Sequence, residues 1–245
     1  VGQGSFPRWK DELLTELYLA LDQRLAPVPA EAEGREPADL AERLLAAAAT
    51  DAEREAAREH CARVPRRYLV EVGLEEARRH LGLLRQMKEE DRQAVAAVSR
   101  GGGDLVDVWV VSTDRPRRFA QVCGAFLAAG ANVVSAIAYT RSDGLIVDRF
   151  RASISPAFGL PAGETAEQYW DRVARDIEAT LEGRADMRPR IENIQRRIPR
   201  EPVISVRVEP EVRVDNRLSD RYTVVDVVCG DRIGLLYGLS RALSD

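Results

Sequence analysis

The feature that most restricts how this chain folds is an internal repeat. Val108, Val110, Val111, Asp114 and Arg115 recur in type and order as Val225, Val227, Val228, Asp231 and Arg232, at an offset of 117 residues from Asp114 to Asp231. The apolar positions that follow also correspond, Phe119 with Leu236 and Phe126 with Leu243. A β-rich run, an Asp-Arg turn and a helical run that recur together mark duplicated modules. The second copy stops at Asp245, after its first helix, so its remaining strands are expected beyond that residue. The chain also opens on Val1 rather than on a methionine, and it reads as a piece of a longer protein.

Hydrophobic period divides the sequence into two regimes. Phe6, Trp9, Leu13, Leu17 and Leu21 recur at helical spacing, and two further helices are expected over about Ala38–Cys61 and Leu74–Met87. Gly101, Gly102 and Gly103 form a hinge signal. After it the period becomes that of strands over Leu105–Ser112, Asn132–Thr140, Leu145–Ile154 and Val203–Val214. Helices are expected from Phe119 to a C-cap at Gly130 and over Glu164–Leu181. Ser142, Asp143 and Gly144 predict a hairpin turn between the second and third strands. The order β-α-β-β-α-β is a split βαβ or ferredoxin-like unit. The expected organisation is α+β: residues 1–100 a helical linker segment, 104–215 the first complete unit, and 221–245 the start of a second. With one strand and one helix, that second start must pair with the first sheet or stay loosely ordered.

Composition excludes several classes of function. The chain is 45% hydrophobic and 31% charged, which is ordinary for a soluble domain with a core. Its net charge of −4 leaves no excess of basic groups for a phosphate backbone, so nucleic acid is not expected as a partner. A ferredoxin-like RNA-binding sheet would need aromatic strands, whereas Leu105–Ser112 and Leu145–Ile154 carry one aromatic each, Trp109 and Phe150. No apolar run is long enough for a membrane span and no signal sequence opens the chain, so a cytoplasmic location is expected. Cys61, Cys123 and Cys229 lie far apart and form neither a metal nor a disulfide pattern. His60 and His80 are the only histidines; His80 is expected on the surface or as a satisfied helix residue. The arginines from Arg184 to Arg200 read as a solvated connector.

The candidate chemistry lies in the Asp-Arg turns. Each joins a strand to a helix N-terminus, where unpaired N–H groups and the positive dipole end suit a carboxylate. A nearby Asp suits the ammonium of a free amino acid. The candidate ligand-binding residues are Asp114, Arg115, Pro116 and Arg117 in the first turn, Asp231, Arg232, Ile233 and Gly234 in the second, and Asn132 at the head of the second strand. Gly234 lets backbone approach a ligand, and Asn132 adds amide hydrogen bonds. The plainer alternative is that Asp114 and Asp231 are helix N-caps. No catalytic or metal-binding residues are assigned.

Asp114, Arg115 and Pro116, with a helix ending at Ala129 and Gly130 and then Asn132, Val133 and Val134, resemble the opening of an ACT domain. Asp231 to Tyr237 resembles it more closely. The stretches Val214–Ser219 and Tyr222–Val227, Asp143 and Gly144 with Asp148 and Phe150, and the Trp170 helix narrow the resemblance further. Together they are similar to the C-terminal tandem ACT region of the bacterial PII-protein uridylyltransferase/uridylyl-removing enzymes. Phe6 to Leu17 resembles the helical segment that follows the His-Asp domain of that family.

The resemblance implies a ferredoxin-like ACT domain and the start of a second. It also implies regulation by an amino acid, glutamine, and the PII protein as partner of the parent enzyme. Those enzymes attach UMP to PII when glutamine is low and remove it when glutamine is high. Their nucleotidyltransferase centre uses a Gly-Ser motif and an Asp-x-Asp pair for metal, magnesium in the parent enzyme, and their phosphodiesterase-type centre a His-Asp site. Neither pattern occurs in this chain, so no catalytic centre and no cofactor are expected in it. Two positions depart from the family pattern, Arg117 in place of glycine and Ile233 in place of proline, which makes the second turn the better ligand candidate. The same turns are also compatible with a stand-alone amino-acid-binding protein that has no enzyme attached.

Overall fold

A computed structural model describes residues 37–100, 104–198, 209–217 and 223–244. The helix expected at Phe6 to Leu21, the glycine hinge at 101–103 and the first part of the strand expected from Val203 lie outside these residues.

Four helices come first, α1 (Pro37–Ala47), α2 (Asp51–Arg63), α3 (Arg66–Glu71) and α4 (Leu74–Glu89). The single helix expected over Ala38–Cys61 is divided at Thr50 by a capping box. Thr50 Oγ1 accepts from the Glu53 N–H at 3.2 Å, and the Glu53 carboxylate accepts from the Thr50 N–H at 3.3 Å. A four-stranded antiparallel sheet follows, from β1 (Ala94–Arg100), β2 (Val106–Thr113), β3 (Ala131–Thr140) and β4 (Leu145–Ile154) in the order β1-β2-β4-β3. Helices α5 (Arg118–Ala129), α6 (Ala166–Leu181) and α7 (Arg188–Arg197) belong to the same unit. The expected C-cap is present, with Gly130 left-handed at φ 77° and its N–H on Leu127 and Phe126 carbonyls.

The architecture is the expected α+β, helices followed by a ferredoxin-like sheet, but the strand beside β2 comes from elsewhere. The expected fourth strand was Val203–Val214, yet that position is held by β1, within the segment read as helical. Ala94, Ala96 and Ala97 are strong helix formers, so their local preference pointed the wrong way. Pairing with β2, where Ala96 meets Val110 and Val98 meets Val108, overrides it. The arginine-rich connector is likewise ordered: α7 buries Ile191 and Ile194, leaves Arg188, Arg196 and Arg197 exposed, and pairs Arg190 with Asp176 of α6 at 2.7 Å.

Both faces of the sheet are covered. Val108, Val110, Phe150 and Ala152 pack under α5 and α6, whose Val122, Phe126, Val173 and Ile177 are buried. On the other face Val95, Trp109, Val111, Tyr139 and Val147 pack under Leu40, Leu44, Tyr68, Val72, Leu83 and Met87. Residues 37–89, expected as a linker, are thus the third layer of a helix–sheet–helix sandwich.

A buried polar chain joins that layer to the sheet. Arg141, at the end of β3, donates to His60 Nδ1 at 2.7 Å. A guanidinium only donates, so the neutral His60 proton sits on Nε2 and is given to the Tyr68 hydroxyl at 2.9 Å. Tyr68 then donates to His80 Nδ1 at 2.7 Å, which leaves the His80 proton on Nε2, where it has no partner. His80 is therefore buried rather than on the surface. The tip of the β3–β4 hairpin is clamped beside this chain. The Asp143 carboxylate takes hydrogen bonds from Arg141 and Arg63, which hold its pKa down at about 2.

The second repeat consists of β5 (Glu211–Asp215), β6 (Val224–Val228) and α8 (Leu235–Ser244). It neither joins the first sheet nor lies loose. β5 pairs with β6, and α8 docks on α5, where a β-carbon on Gly124 would come within 3.0 Å of the Tyr237 ring. Val214 opposes Val225 and Val212 opposes Val227, the counterparts of Val98 opposite Val108 and Ala96 opposite Val110. The duplicated unit therefore opens one strand earlier than the repeat in sequence suggests, and Glu211–Asp215 groups with the second copy.

Candidate amino-acid cleft between the repeats

The two Asp-Arg turns share a backbone conformation. Arg117 has φ 69° and its counterpart Gly234 has φ 79°, each immediately before its helix. Left-handed backbone is natural for glycine and costly for other residues, which explains the residue type at 234 and marks 117 as strained. The N-cap position of α5 is Arg117, with no side-chain cap, so Asp114 does not cap that helix. Asp114 instead gives its backbone N–H to the Gly144 carbonyl at 2.7 Å, which fixes the first turn to the β3–β4 hairpin.

The second turn faces the first repeat. Between them lies a cleft of about 270 Å³, lined by Asn132 and Ser135 of β3 on one side and Asp231, Arg232, Ile233 and Gly234 on the other. Of the nine candidate residues, the structure brings these five together, counting Asn132. Arg117 lines a separate cavity, and Asp114, Arg115 and Pro116 line neither of the two. Ser135, Ser155 and Tyr237, none of them among the nine candidates, also line the cleft. One signal is structural: β3 is an edge strand with a bulge between Val133 and Ser135, and bulges re-aim side chains at sites.

The cleft offers a carboxylate, a guanidinium and an amide over an apolar floor that includes Phe119 and Leu127. That set matches a zwitterion with a short polar side chain. Cys123 also lines the cleft, but burial pushes its thiol up to about 12, so it is an inert core residue. Nearby, Asp148 is 4% exposed on β4, and one of its oxygens has no partner. Burial, and then the charge of Asp114, raise its pKa to about 8, so it is protonated at neutral pH.

Gly234 is also where the second turn touches the first repeat, since a β-carbon there would meet Leu127 Cδ2 at 3.0 Å. Gly234→Ala therefore combines backbone strain with a steric clash, and should cost about 1–3 kcal/mol of stability, concentrated in the docking of α8. Hydrogen exchange would show this as faster exchange in Leu235–Ser244 than in β2 or β4. Equal protection would show that Gly234 does not set the docking.

Among the described residues no helix is long and apolar enough to cross a membrane. The chain matches no protein-family profile. Among curated proteins it is similar to the bifunctional uridylyltransferase/uridylyl-removing enzyme of Rhodopseudomonas palustris (strain ATCC BAA-98 / CGA009). The two are 31% identical over 248 aligned residues, which take in 100% of this chain and 26% of the relative, in its C-terminal part. The chain thus spans about a quarter of the length of that relative.

Proposed function

The chain belongs to the family of the bifunctional uridylyltransferase/uridylyl-removing enzymes, as their C-terminal region, and on that premise we propose that it is the ACT-type regulatory part of such an enzyme, with L-glutamine as its ligand. The observation that carries this reading is the cleft in which Asn132 of one repeat faces Asp231, Arg232 and Gly234 of the next. In it Arg232 takes the ligand α-carboxylate, Asp231 the α-ammonium, and Asn132 the side-chain amide, which both donates and accepts.

A ligand held between two repeats binds better when they are docked, and so favours that arrangement. The helical layer carries the bias onward, because β3 and β4 bear on α2 through Arg141, Asp143 and Arg63. In the parent enzyme this would couple glutamine to uridylylation and deuridylylation of PII at catalytic sites with their own metal, magnesium, in a cytoplasmic setting.

Titration calorimetry with L-glutamine tests the site. Asp231→Ala should weaken binding by at least about tenfold, roughly 1.4 kcal/mol, because it removes the only carboxylate lining the cleft among the described residues. Asp114→Ala, outside the cleft, should leave the Kd within about twofold. Equal losses from the two variants would place the ligand elsewhere.

A further inference from the structure

Ser155 directly follows β4 and is only 4% exposed, yet it lines the cleft between the repeats. Its hydroxyl has no hydrogen-bond partner among the described residues. Buried hydroxyls as a rule have one. Thr180 and Ser240, also buried, donate theirs to the Asp176 and Tyr237 carbonyls at 2.6 and 3.0 Å. A buried hydroxyl left unpaired costs stability, so the group that satisfies Ser155 is expected to be one that fills the cleft.

The backbone around Ser155 is held at both of its polar groups. Its N–H donates to the Gly130 carbonyl at 3.2 Å, and its carbonyl accepts from the Phe158 and Gly159 N–H groups at 3.1 and 2.9 Å. The turn so formed packs on the C-cap of α5, where a β-carbon on Gly130 would come within 3.0 Å of the Phe158 ring. Asn132 pairs with Ser153 across the β3–β4 ladder, so Ser155 stands at the same end of the cleft as Asn132. The charged groups belong to the other repeat. Asp231 and Arg232 form no ion pair with another described residue, and among the described residues that line the cleft Arg232 is the only cation.

We propose that Ser155 is a specificity-determining residue of the cleft: beside Asn132, its hydroxyl selects a ligand side chain that ends in an uncharged carboxamide. A hydroxyl both donates and accepts, as does a carboxamide, so each can satisfy the other. An apolar side chain of the same shape would leave the Ser155 hydroxyl buried and unpaired. A side-chain carboxylate would bring a second negative charge into a cleft whose one lining cation, Arg232, is already engaged by the α-carboxylate. The assignment rests on the amino-acid reading of the cleft and adds to it the group that chooses among amino acids.

The test compares three probes by calorimetry on the intact protein: L-glutamine, L-glutamate and L-homoleucine, whose isopropyl end has the shape of the carboxamide without its polar atoms. The wild type should bind L-glutamine at least about tenfold more tightly than either of the others. Ser155→Ala should weaken L-glutamine about tenfold and leave L-homoleucine within about twofold. Its unfolding midpoint without ligand should be unchanged or higher, because alanine removes a buried hydroxyl that has no protein partner. Equal losses for L-glutamine and L-homoleucine, with a lowered midpoint, would show that Ser155 only shapes the turn and would overturn the assignment. Wild-type L-glutamine affinity in the variant, or a wild type that binds L-homoleucine as tightly as L-glutamine, would overturn it too while leaving the amino-acid reading in place. A wild type that binds none of the three would overturn that reading, and this assignment with it.

Discussion

Tyr68→Phe should destabilise the protein by about 2–5 kcal/mol, although it removes a single oxygen atom, because two buried groups lose their partners at once. Tyr68 is 0% exposed, and its hydroxyl both accepts from His60 Nε2 and donates to His80 Nδ1. Phenylalanine keeps the edge-to-face contact with Tyr139, whose ring centroid lies 5.0 Å away, so packing changes little. What remains is a stranded N–H on His60 and a stranded acceptor on His80, each costing about 1–3 kcal/mol to leave dry and unpaired. Urea unfolding measures the loss. A companion variant, Tyr68→Phe with His80→Leu, should recover part of it, since removing both partners of a buried hydrogen bond is cheaper than removing one. A cost below about 0.5 kcal/mol for the single variant would mean that water enters the junction and that the helical layer is not keyed to the sheet there.

Stability should peak near pH 6.5 and fall on both sides, with identifiable groups setting each limb. Burial, foremost, lowers His60 and His80 from 6.5 to about 3, aided by Arg141 at His60 and by Arg149 and Arg79 at His80. Their neutral forms are the folded ones. Their contribution is complete above pH 6.5 and is lost as pH falls from 6.5 toward 3, by about 1.4 kcal/mol per pH unit for each histidine. Asp148 has the opposite sign. Its pKa is raised from 3.8 to about 8, so its contribution is complete below 3.8 and declines as pH rises toward 8. Between pH 4 and 6 the histidines outweigh it two to one, and above 6.5 it acts alone of the three. Asp148→Asn should therefore remove the alkaline limb and steepen the acid one. His80→Gln should reduce the acid slope by about 1.4 kcal/mol per pH unit. A stability profile that is flat from pH 5 to 8 in the wild type would show that these three groups are hydrated in solution.

The information in this chain acts at two ranges. The Asp-Arg turns, the Gly130 cap, the turn at Ser142 to Gly144 and the strand Leu145–Ile154 were legible because each is written in a few adjacent residues with strong local rules. The duplication was legible for the same reason, since Asp231 and Arg232 stand in the same local frame as Asp114 and Arg115. Of the candidate cleft, Asp231 to Gly234 could be named as a turn, and Asn132 as the head of a strand.

Other features depend on partners far away in the sequence. Ala94–Arg100 is a strand only because β2 offers it a ladder, and Glu211–Asp215 leaves the first sheet because that place is taken and a hairpin partner lies closer. The burial of His60 and His80 follows from Arg141 and Trp109, which lie beyond the helical layer in sequence. Arg117 reads locally as a broken motif; only α7 and α8, arriving on α5, turn it into part of a cavity. Local sequence therefore determined the turns, the caps and the repeat, because backbone conformation answers to neighbouring residues. The tertiary structure decided which edge each strand fills, which face each helix covers and which turn meets Asn132, because those outcomes depend on long-range pairing and burial that no short window of sequence contains.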